Sequence, residues 1–115
     1  MVLYHNPRWG KSRGAVSLLK DKNIDFTIVE YLKTPLTEDE VMSLSKKLGK
    51  PLSDFVRRSE RDFKDNQLNQ FLGDNNKMAE CVAKFPKIME RPIFVKGDRA
   101  VIGRPPEQVL LLLDK

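Results

Sequence analysis

Val2-Leu3-Tyr4-His5-Asn6-Pro7-Arg8-Trp9-Gly10-Lys11-Ser12-Arg13 gathers an imidazole, a hydroxyl and three cations into one short stretch. Val2 to His5 is short, apolar and aromatic, the composition of a buried strand, and Asn6-Pro7 is a turn signal because proline biases the residue before it away from helix. From Lys11 a helical pattern begins, with Ala15, Leu18 and Leu19 on one face. A strand, a tight loop and a helix start in succession leave backbone N–H groups at the positive end of a helix dipole, a geometry that binds anions. Gly10 and Lys11 are candidate anion contacts, Arg8 and Arg13 add charge, and His5 stands where the strand meets the loop. The chemistry expected at such a helix start is that of a thiolate, but the residue there is Trp9, whose indole offers one N–H donor and no usable lone pair. Ser12 is the nearby hydroxyl, and no carboxylate in the stretch completes a base relay with His5, so serine-based catalysis is not expected.

The elements that hold this stretch follow from the rest of the chain. Its 115 residues, 40% hydrophobic and 32% charged, predict one soluble domain, 1–115, with a single core. The longest wholly apolar run, Val109 to Leu113, is far short of a membrane span, and no leader pattern opens the chain, so a cytoplasmic protein without a membrane partner is expected. A net charge of +5 invites nucleic acid. Acidic residues such as Glu38-Asp39-Glu40 and Asp62 are interspersed, however, and a local cationic excess serves a small anion equally well, so direct nucleic-acid binding is not expected. One cysteine, Cys81, excludes an internal disulfide and a cysteine metal cage. It reads as a small core residue rather than a reactive thiol, and no metal is expected.

Phe26 to Leu32, β-branched and apolar on both faces, reads as a strand buried inside a sheet, closing a βαβ unit with Val2. Thr37 with Glu40 forms a capping box, Leu36 with Val41 a hydrophobic staple, and Gly49 stands where a helix ends. From Pro51 the pattern weakens: Leu52, Phe55 and Val56 read as anchors that deliver Arg57-Arg58 to a polar loop and short helix. Met78, Val82 and Phe85 predict a helix capped near Asn75 or Asn76 and stopped by Pro86. Ile93-Phe94-Val95 and Ala100-Val101-Ile102 across Gly97-Asp98 predict an antiparallel hairpin, with Pro92 at its entrance suited to a cis peptide. Gly103-Arg104-Pro105-Pro106-Glu107 opens a last helix that lies on the sheet. The order β-α-β, helical middle, hairpin and closing helix is that of an α/β, thioredoxin-like four-stranded mixed sheet with flanking helices and a helical insert.

Read singly, Arg57, Arg91 and Arg104 are surface charges or anion ligands, Arg58 competes with its neighbour, and His5 is either a site residue or a strand-end histidine. Gly10-Lys11-Ser12 is similar to the end of a nucleotide P-loop, but His5 stands where that pattern needs its first glycine, which discounts a nucleotide site.

Tyr4-His5-Asn6-Pro7-Arg8, Gly10-Lys11-Ser12-Arg13, Tyr31-Leu32 with Pro35, Arg57, Glu90-Arg91-Pro92-Ile93 and Gly103-Arg104-Pro105-Pro106-Glu107 together resemble the glutaredoxin-dependent arsenate reductases. The resemblance covers essentially the whole chain in motif order. It implies a bacterial oxidoreductase in which a loop cysteine attacks arsenate, glutathione and glutaredoxin act as reductants, and arsenite leaves, with no cofactor bound. It also implies that Arg57, Arg91 and Arg104 hold the oxyanion (arsenate, phosphate or sulfate), that Pro92 is the cis-proline, and that His5 and Ser12 attend the cysteine. That cysteine falls on Trp9, so arsenate reduction is expected to be poor or absent. A second reading follows from the related Spx-type regulators, which contact RNA polymerase and carry a Cys-x-x-Cys switch in this loop. Trp9-Gly10-Lys11-Ser12 lacks both cysteines.

Overall fold

The structure, a computed structural model, describes residues 1–113. Two compact units make it up, one formed by Met1–Thr34 with the chain from Arg91 onward, the other by Pro35–Glu90.

The first unit is built on a mixed sheet in the order β2-β1-β3-β4, with β1 at Val2–Tyr4, β2 at Thr27–Val29, β3 at Ile93–Lys96 and β4 at Arg99–Ile102. Strand β1 runs parallel to β2 and antiparallel to β3, and β3 pairs antiparallel with β4 across Gly97, whose φ of 61° suits the tight turn. Helix α1, Gly10–Asp21, is the crossover between the parallel strands. Leu3 and Phe94 lie opposite one another in the sheet and so share a face. That face is covered by Ala15 and Leu19 of α1 and by Val109 and Leu112 of the closing helix, all buried together. The arrangement is the thioredoxin-like α/β fold expected from the order of elements.

Strand β2 is shorter and less covered than its composition predicts. Only Thr27–Val29 pair, β2 lies at the sheet edge, and Ile28 is 40% exposed. The apolar residues on either side serve other ends: Phe26 packs against the core and Tyr31, beyond the strand, is fully buried. The closing helix at Pro106–Leu112 is a 3-10 helix. Its apolar residues fall three apart, Val109 and Leu112, which suits a three-residue turn and places both on one buried face.

The second unit lies between β2 and β3 in the sequence and is helical. Helix α2, Glu38–Leu48, begins with the expected capping box: the Glu40 N–H donates to Thr37 Oγ1 at 3.2 Å and the Thr37 N–H donates to Glu40 Oε1 at 2.9 Å. It ends at Gly49 with φ 67°. A short helix α3, Arg61–Asp65, buries Phe63. Helix α4, Asn75–Lys84, packs against α2 and buries Met78 and Val82. Its cap is Asp74, whose carboxylate accepts from the Lys77 N–H at 3.1 Å, rather than Asn75 or Asn76. Asn75 is engaged elsewhere, accepting from the Leu52 N–H at 2.7 Å and donating to Ser45 Oγ at 3.4 Å. Among the described residues, no helix is long and apolar enough to cross a membrane.

Gly103 leaves β4 where the backbone crowds: its N–H donates to the Pro92 carbonyl at 2.8 Å, and a Cβ there would lie 2.9 Å from Pro92 Cγ and 3.1 Å from Val109 Cγ1. Gly103→Ala is expected to destabilise the fold by about 1–3 kcal/mol through overpacking. Gly73→Ala, where a Cβ meets nothing within 4 Å, is expected to be neutral or slightly stabilising. Denaturant midpoints of the two variants check both.

Candidate functional site

Tyr4 pairs with Val29 and with Ile93, and Ile93 with Ile102, so these four residues form one row across the sheet. Strand direction decides what lies just past the row. It is where the chain leaves β1 at His5, leaves β2 at Glu30, enters β3 through Arg91-Pro92 and leaves β4 through Gly103-Arg104. Motifs that are far apart in sequence therefore meet at one end of the sheet.

The loop after β1 is folded around the Ser12 hydroxyl, which is fully buried. The Asn6 N–H donates to Ser12 Oγ at 3.0 Å, and His5 Nδ1 lies 2.9 Å from the same oxygen. The hydroxyl therefore ties the loop backbone and the imidazole together at one buried oxygen. Asn6 closes the turn from its other atoms. Its side-chain oxygen accepts from the Arg8 N–H at 3.1 Å, and its carbonyl accepts from the Trp9 N–H at 3.1 Å. Arg13 donates to the Pro7 carbonyl at 3.0 Å. Sequence reading took Asn6-Pro7 as a turn signal and missed Asn6 as the residue that builds the loop. The signal was an asparagine able to bond a backbone N–H two residues on.

Trp9 is the N-cap of α1, with extended φ and ψ of −105° and 129° and no cap hydrogen bond from its side chain. The first turn that follows, Gly10-Lys11-Ser12, contains no acidic residue, and its amides have no intrahelical acceptor. The positive end of the helix thus opens on the loop beside two exposed cations, Arg8 and Lys11.

Arg91 is 3% exposed, and its guanidinium carbon sits 3.8 Å from the centre of the Trp9 ring. Contacts of this kind contribute about 0.5–2 kcal/mol. The indole, 41% exposed, thus caps a buried guanidinium at the helix start. The Arg91-Pro92 peptide is cis, as expected at that strand entrance, and Arg104-Pro105 is cis as well, which the sequence reading did not anticipate. Arg104 is exposed at the same end of the sheet, its N–H donating to the Ile102 carbonyl at 3.0 Å.

Arg57 belongs to the helical unit. Its side chain is half-buried between two carboxylates, with Nη1 3.1 Å from Glu90 Oε1 and Nε 3.6 Å from Glu60 Oε2. The adjacent Arg58 is exposed and donates to the Ser53 carbonyl at 3.3 Å. Cys81 is buried on α4, and burial pushes its thiol above the usual value. His5, Trp9, Gly10, Lys11, Ser12, Arg91, Pro92 and Arg104 therefore share one sheet end, while Arg57 is engaged with acidic partners of its own unit.

Burial holds the His5 pKa below its ordinary value of 6.5, with Glu30 working against this and Arg13 with it. As pH falls below 6.5 the unfolded chain takes up the proton first. Stability from this residue is therefore complete above about pH 6.5 and is lost as pH falls from there toward the folded-state pKa. His5 is the only histidine, so its ring resonances are unambiguous in an NMR titration. They are expected to titrate below 6.5, and His5→Gln is expected to remove the corresponding slope from the stability–pH curve.

A model described as the ArsC family matches residues 4–112. Uncharacterized protein YfgD of Escherichia coli is 38% identical over 109 residues, covering 94% of this chain and 92% of that protein. An arsenate reductase of Haemophilus influenzae is 34% identical over 114 residues, covering 98% of each. The solved structure of an arsenate reductase from Vibrio cholerae matches with a TM-score of 0.90 at 35% identity, over 96% of this chain and 94% of that one. The sheet order, the loop-to-helix turn and these matches agree, and the chain belongs to the ArsC family.

Proposed function

We propose that this chain is a single-domain oxyanion-binding member of its family, taking arsenate, phosphate or sulfate at the start of α1 and not reducing arsenate unaided. The observation that carries this reading is the Trp9 indole lying on the buried Arg91 guanidinium at the helix N-cap. Binding is supported by the amides of Gly10 and Lys11, the cations Arg91 and Arg104, and a first turn without acidic residues. A guanidinium offers a tetrahedral oxyanion two parallel donors, and an N-terminal turn offers dipole and amides together.

Turnover needs more. Reduction of arsenate in this family begins with a thiolate that displaces one arsenate hydroxyl, lost as water, and bonds arsenic. A thiol of glutathione then attacks that sulfur, the electron pair passes to arsenic, and glutaredoxin returns the mixed disulfide to the thiol. Indole has no electron pair to start the sequence. Ser12 does not substitute for the thiolate, since its hydroxyl is buried and committed to Asn6 and His5. His5, neutral and hydrogen-bonded to that hydroxyl, serves here to fix the loop rather than to carry charge.

Arsenate reduction with glutathione and glutaredoxin, compared between this chain and Trp9→Cys, tests the reading. The parent is expected at the rate of the enzyme-free mixture and the variant clearly above it. Reduction by the parent would overturn the proposal. Silence in both would mean that the surrounding residues do not form a working site.

A further inference from the structure

We infer that Glu90, with Glu60, is the resident anion of Arg57, so that an oxyanion reaches this guanidinium only by displacing Glu90. The inference rests on the reading that the chain binds oxyanions, and adds what controls one of the three expected arginine ligands.

The backbone sets the pair. Val56 and Met89 form an antiparallel bridge, the Arg57 N–H donates to the Ile88 carbonyl, and the Glu90 N–H donates to the Phe55 carbonyl at 2.8 Å. In such a ladder Arg57 and Glu90 are diagonal neighbours, at a separation that long side chains span. Residues 33 apart in sequence are thereby held in register, and the guanidinium meets the carboxylate at 3.1 Å. Glu60 arrives from the turn that follows, its own N–H donating to the Arg57 carbonyl at 3.2 Å. The side chains of Arg57, Glu60 and Glu90 are 16%, 25% and 23% exposed.

Charge then decides the consequence. Both Glu60 and Glu90 face this guanidinium, so an incoming dianion competes with two carboxylates for it. A carboxylate also presents the same two-oxygen edge to the arginine fork as a tetrahedral oxyanion does. An acceptor fixed in the same chain acts at an effective concentration of order mM, which an external anion must match to compete. Glu90 directly precedes Arg91, so one dipeptide supplies the carboxylate that occupies Arg57 and the guanidinium that is capped by Trp9.

Phosphate titration followed by amide chemical shifts tests this on the parent, Glu90→Gln, Arg57→Gln and the double variant, with thermal melts confirming the fold of each. Glu90→Gln is expected to bind phosphate about tenfold more tightly, about 1.4 kcal/mol. That gain is expected to vanish in the double variant, and Arg57→Gln alone is expected to leave the parent's affinity nearly unchanged. Should Glu90→Gln not fold, Glu60→Gln removes the longer contact and is expected to give a smaller gain with the same dependence on Arg57. Unchanged or weaker phosphate binding on removing the carboxylate, or a gain that persists without Arg57, would overturn the inference. A parent that binds no phosphate beside a Glu90→Gln variant that does would support the inference while contradicting the binding reading for the parent. Absence of binding in every variant would overturn both.

Discussion

The row Val29, Tyr4, Ile93, Ile102 is the constraint from which the site follows. Because β3 runs against β1 and β4 runs against β3, the end of β1, the start of β3 and the end of β4 fall on one side of that row. A register slip of one residue in β1–β3 would turn Leu3 and Phe94 off the core face that Val109 and Leu112 cover. The apolar core therefore enforces the register, and the register brings His5, Arg91 and Arg104 to one edge. Packing and chemistry are joined here by hydrogen-bond pairing, not by sequence proximity.

On this frame the loop is shaped by one buried hydroxyl. Ser12 ties Asn6 and His5 to the first turn of α1, which leaves Trp9 as the N-cap. Position 9 then faces Arg91, and a large aromatic side chain placed there meets a guanidinium at van der Waals distance. Beside the start of α1 thus lie a histidine whose pKa is lowered by burial and an arginine partly covered by an indole. Arg57, in its own unit, is likewise matched, by Glu60 and Glu90. Arg91 and Arg57, both singled out by resemblance, thus have internal partners that any bound anion would have to share.

Much of the fold was legible because its signals are local. The capping box at Thr37 and Glu40, the glycine at Gly49 and the proline before Ile93 each act within a few residues, and each appears as expected. The misreadings arose where a residue type had two uses. Phe26 and Tyr31 look like strand residues but anchor the chain on either side of a three-residue edge strand. Asn75 looks like a cap but binds the Leu52 N–H, because Asp74 already caps the helix. In the site, Arg8, Lys11 and Arg13 were legible from type and spacing, Arg57, Arg91 and Arg104 only through the resemblance, and the partners of Arg57 and Arg91 not at all. Glu90 stands in a motif quoted for its neighbours, and its role appears only when the bridge between Val56 and Met89 sets it diagonally beside Arg57. Pairings across the sheet and across the helical unit carry no local sequence signature.

The central claim is that Trp9 covers Arg91 at the proposed anion site. Trp9 is the only tryptophan in the chain, so its fluorescence reports on the surroundings of this position, the Arg91 guanidinium among them. The most direct measurement is emission during titration with arsenate, beside an independent binding signal such as calorimetry. A saturable change in emission that tracks the binding isotherm is expected, because an anion drawing on Arg91 alters the charge lying on the indole. Binding measured by calorimetry with no change in Trp9 emission would contradict the claim and place the anion away from Arg91.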